Sequence, residues 1–206
     1  MSILKEVLPK IYSWSEFNEE RQLNFNGYFV IHQKDAVIID PPHLSGKGLR
    51  DLKELVALNI STPIKAILLT NVHHDRSSQE LKELFPVPIY INEKDRDLLD
   101  SKSDKTCKGG DQLFGGIRVV HIPDQKSPGE SAFYIQDRKI LIVGDALIGK
   151  VEGEVNMLPP EKFKDVDKAK AGLNVLRELD FESLLLGDGH SILKDAKAKV
   201  EKFLDA

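Results

Sequence analysis

The chain has 206 residues, 41% of them hydrophobic and 30% charged, with a formal net charge of −4. That balance fits one soluble globular domain over residues 1–206. No apolar run approaches the roughly 18 residues of a membrane helix, and no basic stripe marks a nucleic-acid partner. The N-terminus shows no basic segment followed by an apolar one, so a cytoplasmic protein is expected. Cys107 is the single cysteine. It excludes an internal disulfide framework and fits a reducing compartment. Its polar stretch, Ser101 to Gly110, reads as a loop carrying an unpaired surface thiol.

The first forty residues read as strands. Leu23 to Ile31 is strand-like, and Ala36 to Ile39 is a short buried run that stops at Asp40-Pro41-Pro42. Leu49, Leu52, Leu55 and Val56 recur at helical spacing and predict a helix from about Lys47 to Leu58. Ile64 to Leu69 is a strand. Ser77 opens a helix with Glu80 three residues on, as in a capping box. Val87 to Ile91 is a strand and Glu93 to Leu99 a short helix. Ile117 to Ile122, Ser131 to Ile135 and Lys139 to Val143 are strands. A helix from about Glu161 to Leu179 follows, then a short strand Leu184 to Leu186. The last helix carries Ile192, Ala196, Val200 and Phe203 on one face. Strands come first and helices after in each half, a pattern of two face-to-face sheets with helices outside.

Three apolar strands end in groups that carry chemistry. Ile64 to Leu69 runs into Thr70-Asn71-Val72-His73-His74-Asp75-Arg76. Leu141-Ile142-Val143 leads to Gly144-Asp145, and Leu184-Leu185-Leu186 to Gly187-Asp188-Gly189-His190. In an extended backbone His73 and Asp75, one residue apart, face the same side, with His74 turned away. Imidazole and carboxylate are good ligands for zinc, iron or manganese. Together the three exits point to one shared cavity at an edge of the sheets, with glycines allowing close backbone approach.

In order and spacing these segments resemble the metallo-beta-lactamase superfamily. Residues 70–76 are similar to its T-H-x-H-x-D-H signature. Ile122 to Gly129 resembles its Pro-Gly-His turn, Gly144-Asp145 its bridging-aspartate motif, and Gly187-Asp188-Gly189 its closing Gly-His-Gly. Asp40-Pro41 resembles its early Asp turn. The likeness covers about residues 20–195 and implies an α/β, four-layer αββα sandwich with a metal site along one sheet edge.

The departures are as informative as the matches. The resemblance puts one metal on positions 71, 73 and 126, held here by Asn71, His73 and Lys126. It puts a second on positions 75, 76 and 188, held here by Asp75, Arg76 and Asp188, with Asp145 between the two. Four imidazoles are missing, two of them replaced by cations. An ammonium has no lone pair for a metal, and a guanidinium does not deprotonate. The turn around Lys126 is about one residue longer than the usual pattern, so Gln125 is an alternative occupant of its position.

Without metal, clustered carboxylates repel one another and at least one pKa rises. Lys126 and Arg76 therefore read as fixed counter-charge for Asp75, Asp145 and Asp188. The expected protein has an incomplete dinuclear site and no ordinary zinc-hydrolase activity, with a pocket for a small anionic ligand. The alternative is a hydrolase of a small ester, thioester or phosphoester. It would use one divalent ion (zinc, iron or manganese) on His73, Asp75, Asp145 and Asp188, with His190 swinging in and a metal-bound water as nucleophile. His32, His43 and His121 read as structural, with a place at the pocket edge as the alternative for His121. Gly46-Lys47-Gly48 lacks the rest of a P-loop, and no G-x-S-x-G elbow occurs.

Overall fold

The computed structural model describes residues 3–206. Seven strands form the first sheet in sequence order: β1 (Lys5–Leu8), β2 (Ile11–Asn18), β3 (Leu23–His32), β4 (Asp35–Ile39), β5 (Ile64–Leu68), β6 (Ile89–Asn92) and β7 (Lys105–Cys107). The first four are antiparallel neighbours. From β4 onward the pairs are parallel. Parallel pairs need crossovers, and α1 (Gly46–Leu58) and α2 (Ser78–Leu84) supply the first two. The second sheet has the order β11 (Ser183–Leu186), β10 (Ile140–Val143), β9 (Ser131–Ile135), β8 (Arg118–His121), with β10 and β11 parallel. Two further helices, α3 (Val166–Gly172) and α4 (Ala196–Asp205), complete the set.

Strand alternation builds the layers. In β4, Val37 and Ile39 face the second sheet while Ala36 and Ile38 face the helical side. In β10, Ile140 and Ile142 turn to the first sheet while Leu141 and Val143 turn outward. A period of two therefore feeds three hydrophobic layers from two sheets. Leu52 of α1 and Leu81 of α2 cover one outer face, and Ala196 and Val200 of α4 cover the other. The result is the expected αββα sandwich.

Some elements differ from the sequence expectation. The stretch 161–179 is broken into a 3-10 turn Pro160–Lys162, then α3, then a 3-10 segment Leu173–Glu178. Asp165 starts α3 by accepting a hydrogen bond from the Lys168 amide. Residues 93–99 hold only a 3-10 turn, Arg96–Leu98. Ser77 makes no side-chain cap on α2. Cys107 is no surface thiol: it lies buried in β7, against the layer between the sheets. Trp14 is core, with its indole N–H donating to the Pro42 carbonyl at 3.1 Å.

The two sheets are stitched at one edge. The Asn26 amide donates to the Gly187 carbonyl (2.7 Å) and the Ser131 amide to the Thr70 carbonyl (2.9 Å). The Asn26 side chain donates to the carbonyls of Leu186 and Gly189, and the Tyr28 hydroxyl to Leu186. These bonds fix the carboxyl end of β11 against β3, beside the ends of β4, β5 and β10.

Candidate functional site

Four strand ends meet at this edge, and each brings a polar residue. Asp40 follows β4 in the left-handed region (φ 47°), a conformation that costs a non-glycine residue on the order of 1 kcal/mol. Its carboxylate is held there by three donors: the Thr70 amide (2.8 Å), the Thr70 hydroxyl (2.6 Å) and His74 Nδ1 (2.8 Å). After β5 the chain does not stay extended. Asn71 Oδ1 accepts from the His73 amide at 2.8 Å and starts a 3-10 turn over Val72–His74. That turn rotates His74 inward and His73 outward, the reverse of the extended-backbone expectation. His74 is fully buried. A Cβ on Gly187 would overlap its ring, and a Cβ on Gly144 would overlap the Thr70 hydroxyl. Both glycines are therefore required where Asp145 and Asp188 arrive.

The buried charges alternate. His74 Nδ1 faces Asp40, while its Nε2 lies 3.5 Å from Asp145 Oδ1 and 3.9 Å from Asp188 Oδ1. These are ion-pair distances, and Nε2 has no aligned hydrogen-bond acceptor. Lys126 Nζ donates to Asp145 Oδ2 at 2.7 Å. Arg76 Nη2 donates to Asp188 Oδ1 at 2.7 Å, while the guanidinium sits 4.4 Å over the Phe25 ring. Arg76 too is left-handed (φ 39°), so strained backbone carries two members of the cluster. Three carboxylates, Asp40, Asp145 and Asp188, thus face three cations, His74, Lys126 and Arg76.

The titration directions follow from that pairing. Burial and the Arg76 charge press the His74 pKa down, but Asp40 and the Asp145 contact outweigh them and lift it to about 10. His74 is therefore an imidazolium at neutral pH. Burial pushes the Asp145 carboxyl up, but His74 and Lys126 hold it far below the usual carboxylate range. Glu130, fully buried just before β9, goes the other way: burial and the Asp145 charge raise it well above a normal glutamate. Its Oε1 accepts from the Ala146 amide at 3.2 Å and its Oε2 has no partner, as suits a neutral carboxylic acid.

A cavity of about 490 Å³ opens over this cluster. It brings together Asp145, Asp188, Arg76 and Lys126, and His73 and Asp75 reach its lining as well. His73 is exposed at the mouth, its pKa lowered by partial burial and by Lys126. Asp75 does not join the carboxylate group, because it accepts a hydrogen bond from the Ser78 hydroxyl. Asn71 is buried and spends its amide on the turn. His190 stands outside the cavity lining: its side chain is exposed and its amide donates to the Gly149 carbonyl at 2.8 Å. Gln125 donates to the carbonyls of Pro123 and Ala169, leaving Lys126 to enter the site. Sequence reasoning missed His74, Glu130 and the part played by Asp40. Only Asp40 carried a signal, its position at the hard stop after β4.

The donors fit a dinuclear zinc centre poorly. Lys126 and Arg76, which have no lone pair to give, are paired with the two carboxylates a metal pair would need. One smaller donor group remains. His74 Nε2 and one oxygen each from Asp145 and Asp188 lie within 4.8 Å of one another, and no other such group of three or more occurs among the described residues.

Comparison with known proteins agrees with the fold. Residues 3–206 match the family model of the metallo-beta-lactamase superfamily. The chain is 27% identical over 154 residues to a "Probable metallo-hydrolase YqgX" of Bacillus subtilis, covering 65% of this chain and 71% of that protein. It is 28% identical over 173 residues to an uncharacterized protein of Aquifex aeolicus, covering 74% and 77%. Among solved structures, a metallo-beta-lactamase from Pontibacter korlensis superposes with a TM-score of 0.77 at 17% identity, over 98% of this chain and 96% of that one.

Proposed function

The chain belongs to the metallo-beta-lactamase superfamily, and we propose that its dinuclear metal site is lost and ordinary zinc-hydrolase activity with it. In this reading the pocket carboxylates are balanced by Lys126 and Arg76, with the His74 imidazolium as a third cation. One observation carries it: the 2.7 Å pairs Lys126–Asp145 and Arg76–Asp188 put side-chain cations on two carboxylates that would be needed to hold divalent ions. Charge neutrality is then reached without a bound ion, and the fold keeps a polar cavity at its sheet edge. The lining that a small anionic ligand would meet is mixed in charge: Lys126 and Arg76 are already paired, Glu20, Asp75 and Asp100 add negative charge, and Arg21 adds positive charge.

A second reading has its own support in the spacing of His74, Asp145 and Asp188. Asp40 on Nδ1 is the kind of outer carboxylate that orients a ligand histidine. Those three residues would hold one ion of zinc, iron or manganese, which would supply an activated water for hydrolysis. Lys126 and Arg76 would then have to leave their carboxylates.

The test is turnover of small esters, thioesters, lactams and phosphoesters, each with chelator, with zinc and with manganese. The proposal expects no metal-dependent rate above that of Asp145→Asn. A metal-dependent rate that disappears in Asp145→Asn establishes the second reading instead.

A further inference from the structure

The end of the first sheet opposite the carboxylate cluster carries a groove of about 420 Å³, where α1 stops and the chain enters β5 and β6. Val56, Pro63, Ile64, Phe85, Pro86 and Val87 line it, and Lys53 is the single charged residue of the lining. The turn after α1 projects beside this recess. Leu58 is 82% exposed, and Ile60, on the rim, is 86% exposed. No other large hydrophobic residue among those described exceeds 56%.

The projection is a built feature and no loose loop. The Asn59 side-chain amide donates to the Leu55 carbonyl at 2.8 Å. The Thr62 amide and hydroxyl both donate to the Asn59 carbonyl, at 2.8 and 2.9 Å. These bonds fix the backbone between Leu58 and Thr62, so two apolar side chains are held out in water. An apolar patch rimmed by polar residues is the composition of a protein–protein contact.

Shape and charge select the occupant. The same face offers an apolar projection and an apolar recess side by side. About a two-fold axis, the projection of each copy meets the recess of the other, which is the self-complementarity an isologous contact requires. The formal net charge of −4 makes two copies repel over much of their surface. This face escapes that repulsion, because its groove holds no acid and its rim carries both signs. Lys53 and Glu54 lie exposed on α1, and Glu83 is exposed in the last turn of α2. None of the three makes an ion pair among the described residues, so they remain available to pair across a contact.

We infer that this face joins two copies of the chain about a two-fold axis, the Leu58-Asn59-Ile60 turn of each seated in the groove of the other. The contact lies at the far end of the strands from Asp145 and Asp188, so association leaves the first cavity open. Nothing in it depends on whether that cluster holds a metal.

Sedimentation velocity of the full chain over a concentration series is the test. The chain should pass from one copy to two with a dissociation constant of about 100 μM or tighter. Leu58→Lys/Ile60→Lys should weaken association about tenfold or more. Both positions are exposed, and a lysine suits the last turn of a helix, so the circular dichroism spectrum should not change. Leu58→Ser/Ile60→Ser adds no charge and should weaken association as well. The control Phe17→Lys removes an exposed apolar group from β2 and should leave association unaltered. A wild-type chain that stays single up to about 1 mM overturns the inference. So does wild-type association in either folded double variant, equal weakening by Phe17→Lys, or growth beyond two copies.

Discussion

Replacing Lys126 by methionine removes the ammonium and keeps most of the side chain's bulk. The ion pair it breaks is short, 2.7 Å, and shielded, with Lys126 15% and Asp145 3% exposed. Removing one partner of a buried pair costs about 3–5 kcal/mol, because the other charge stays desolvated and uncompensated. Here Asp145 keeps His74 at 3.5 Å, so the lower end applies, about 3 kcal/mol. Urea unfolding should show that loss as a lower midpoint at unchanged slope. Lys126→Met/Asp145→Asn removes both charges and should recover a large part of it, a coupling of about 2 kcal/mol in a double-mutant cycle. If Lys126→Met costs less than about 0.5 kcal/mol and shows no coupling to Asp145, the ammonium is not the counter-charge.

The His74 pKa of about 10 exceeds its ordinary 6.5, so its stabilisation is complete below about pH 6.5 and is lost as pH rises through about 10. Glu130 also binds its proton more tightly folded than unfolded, so it too makes stability fall with rising pH. Glu130→Gln should make the fall of unfolding free energy as pH rises above about 4.5 shallower, and an unchanged slope would show that Glu130 is ionised. Asp145 acts at the other end: its contribution is present above its ordinary 3.8 and lost as pH falls through its lower folded value. Cys107, buried and with its thiol pushed up to about 12 by burial and by Asp111 and Glu93, should not react with a thiol reagent until the chain unfolds. Rapid labelling of the native protein would place it at the surface after all. Restoring four imidazoles together, by Asn71→His, Arg76→His, Lys126→His and Asp188→His, should create zinc affinity measurable by calorimetry. A folded variant that binds no zinc would refute the ligand positions assigned from the motifs.

The fold was legible because short continuous apolar runs and hard stops repeat through the chain: Ala36 to Ile39 before Asp40-Pro41, Ile140 to Val143 before Gly144. The carboxylates Asp145 and Asp188 were legible for the same reason, as the first polar groups past buried strands. His74 was not. An i, i+2 argument assumes extended backbone, and one hydrogen bond from the His73 amide to Asn71 Oδ1 bends this segment into a 3-10 turn. Composition also misled at Cys107, where a polar stretch conceals a three-residue edge strand whose last side chain is buried. The long helix near 161–179 failed at Gly172, after which the chain tightens to 3-10 geometry. Glu130 had no local signal, since its burial depends on β9, on Ala146 and on the cluster across from it.

The most direct test is the metal content of the protein purified without a nickel column, measured by mass spectrometry against protein concentration. With Lys126 and Arg76 seated on Asp145 and Asp188, well under about 0.1 equivalent of zinc, iron and manganese combined is expected. About one equivalent or more of any of them, removed by chelator and lost in Asp145→Asn, would contradict replacement of the metal by side-chain cations.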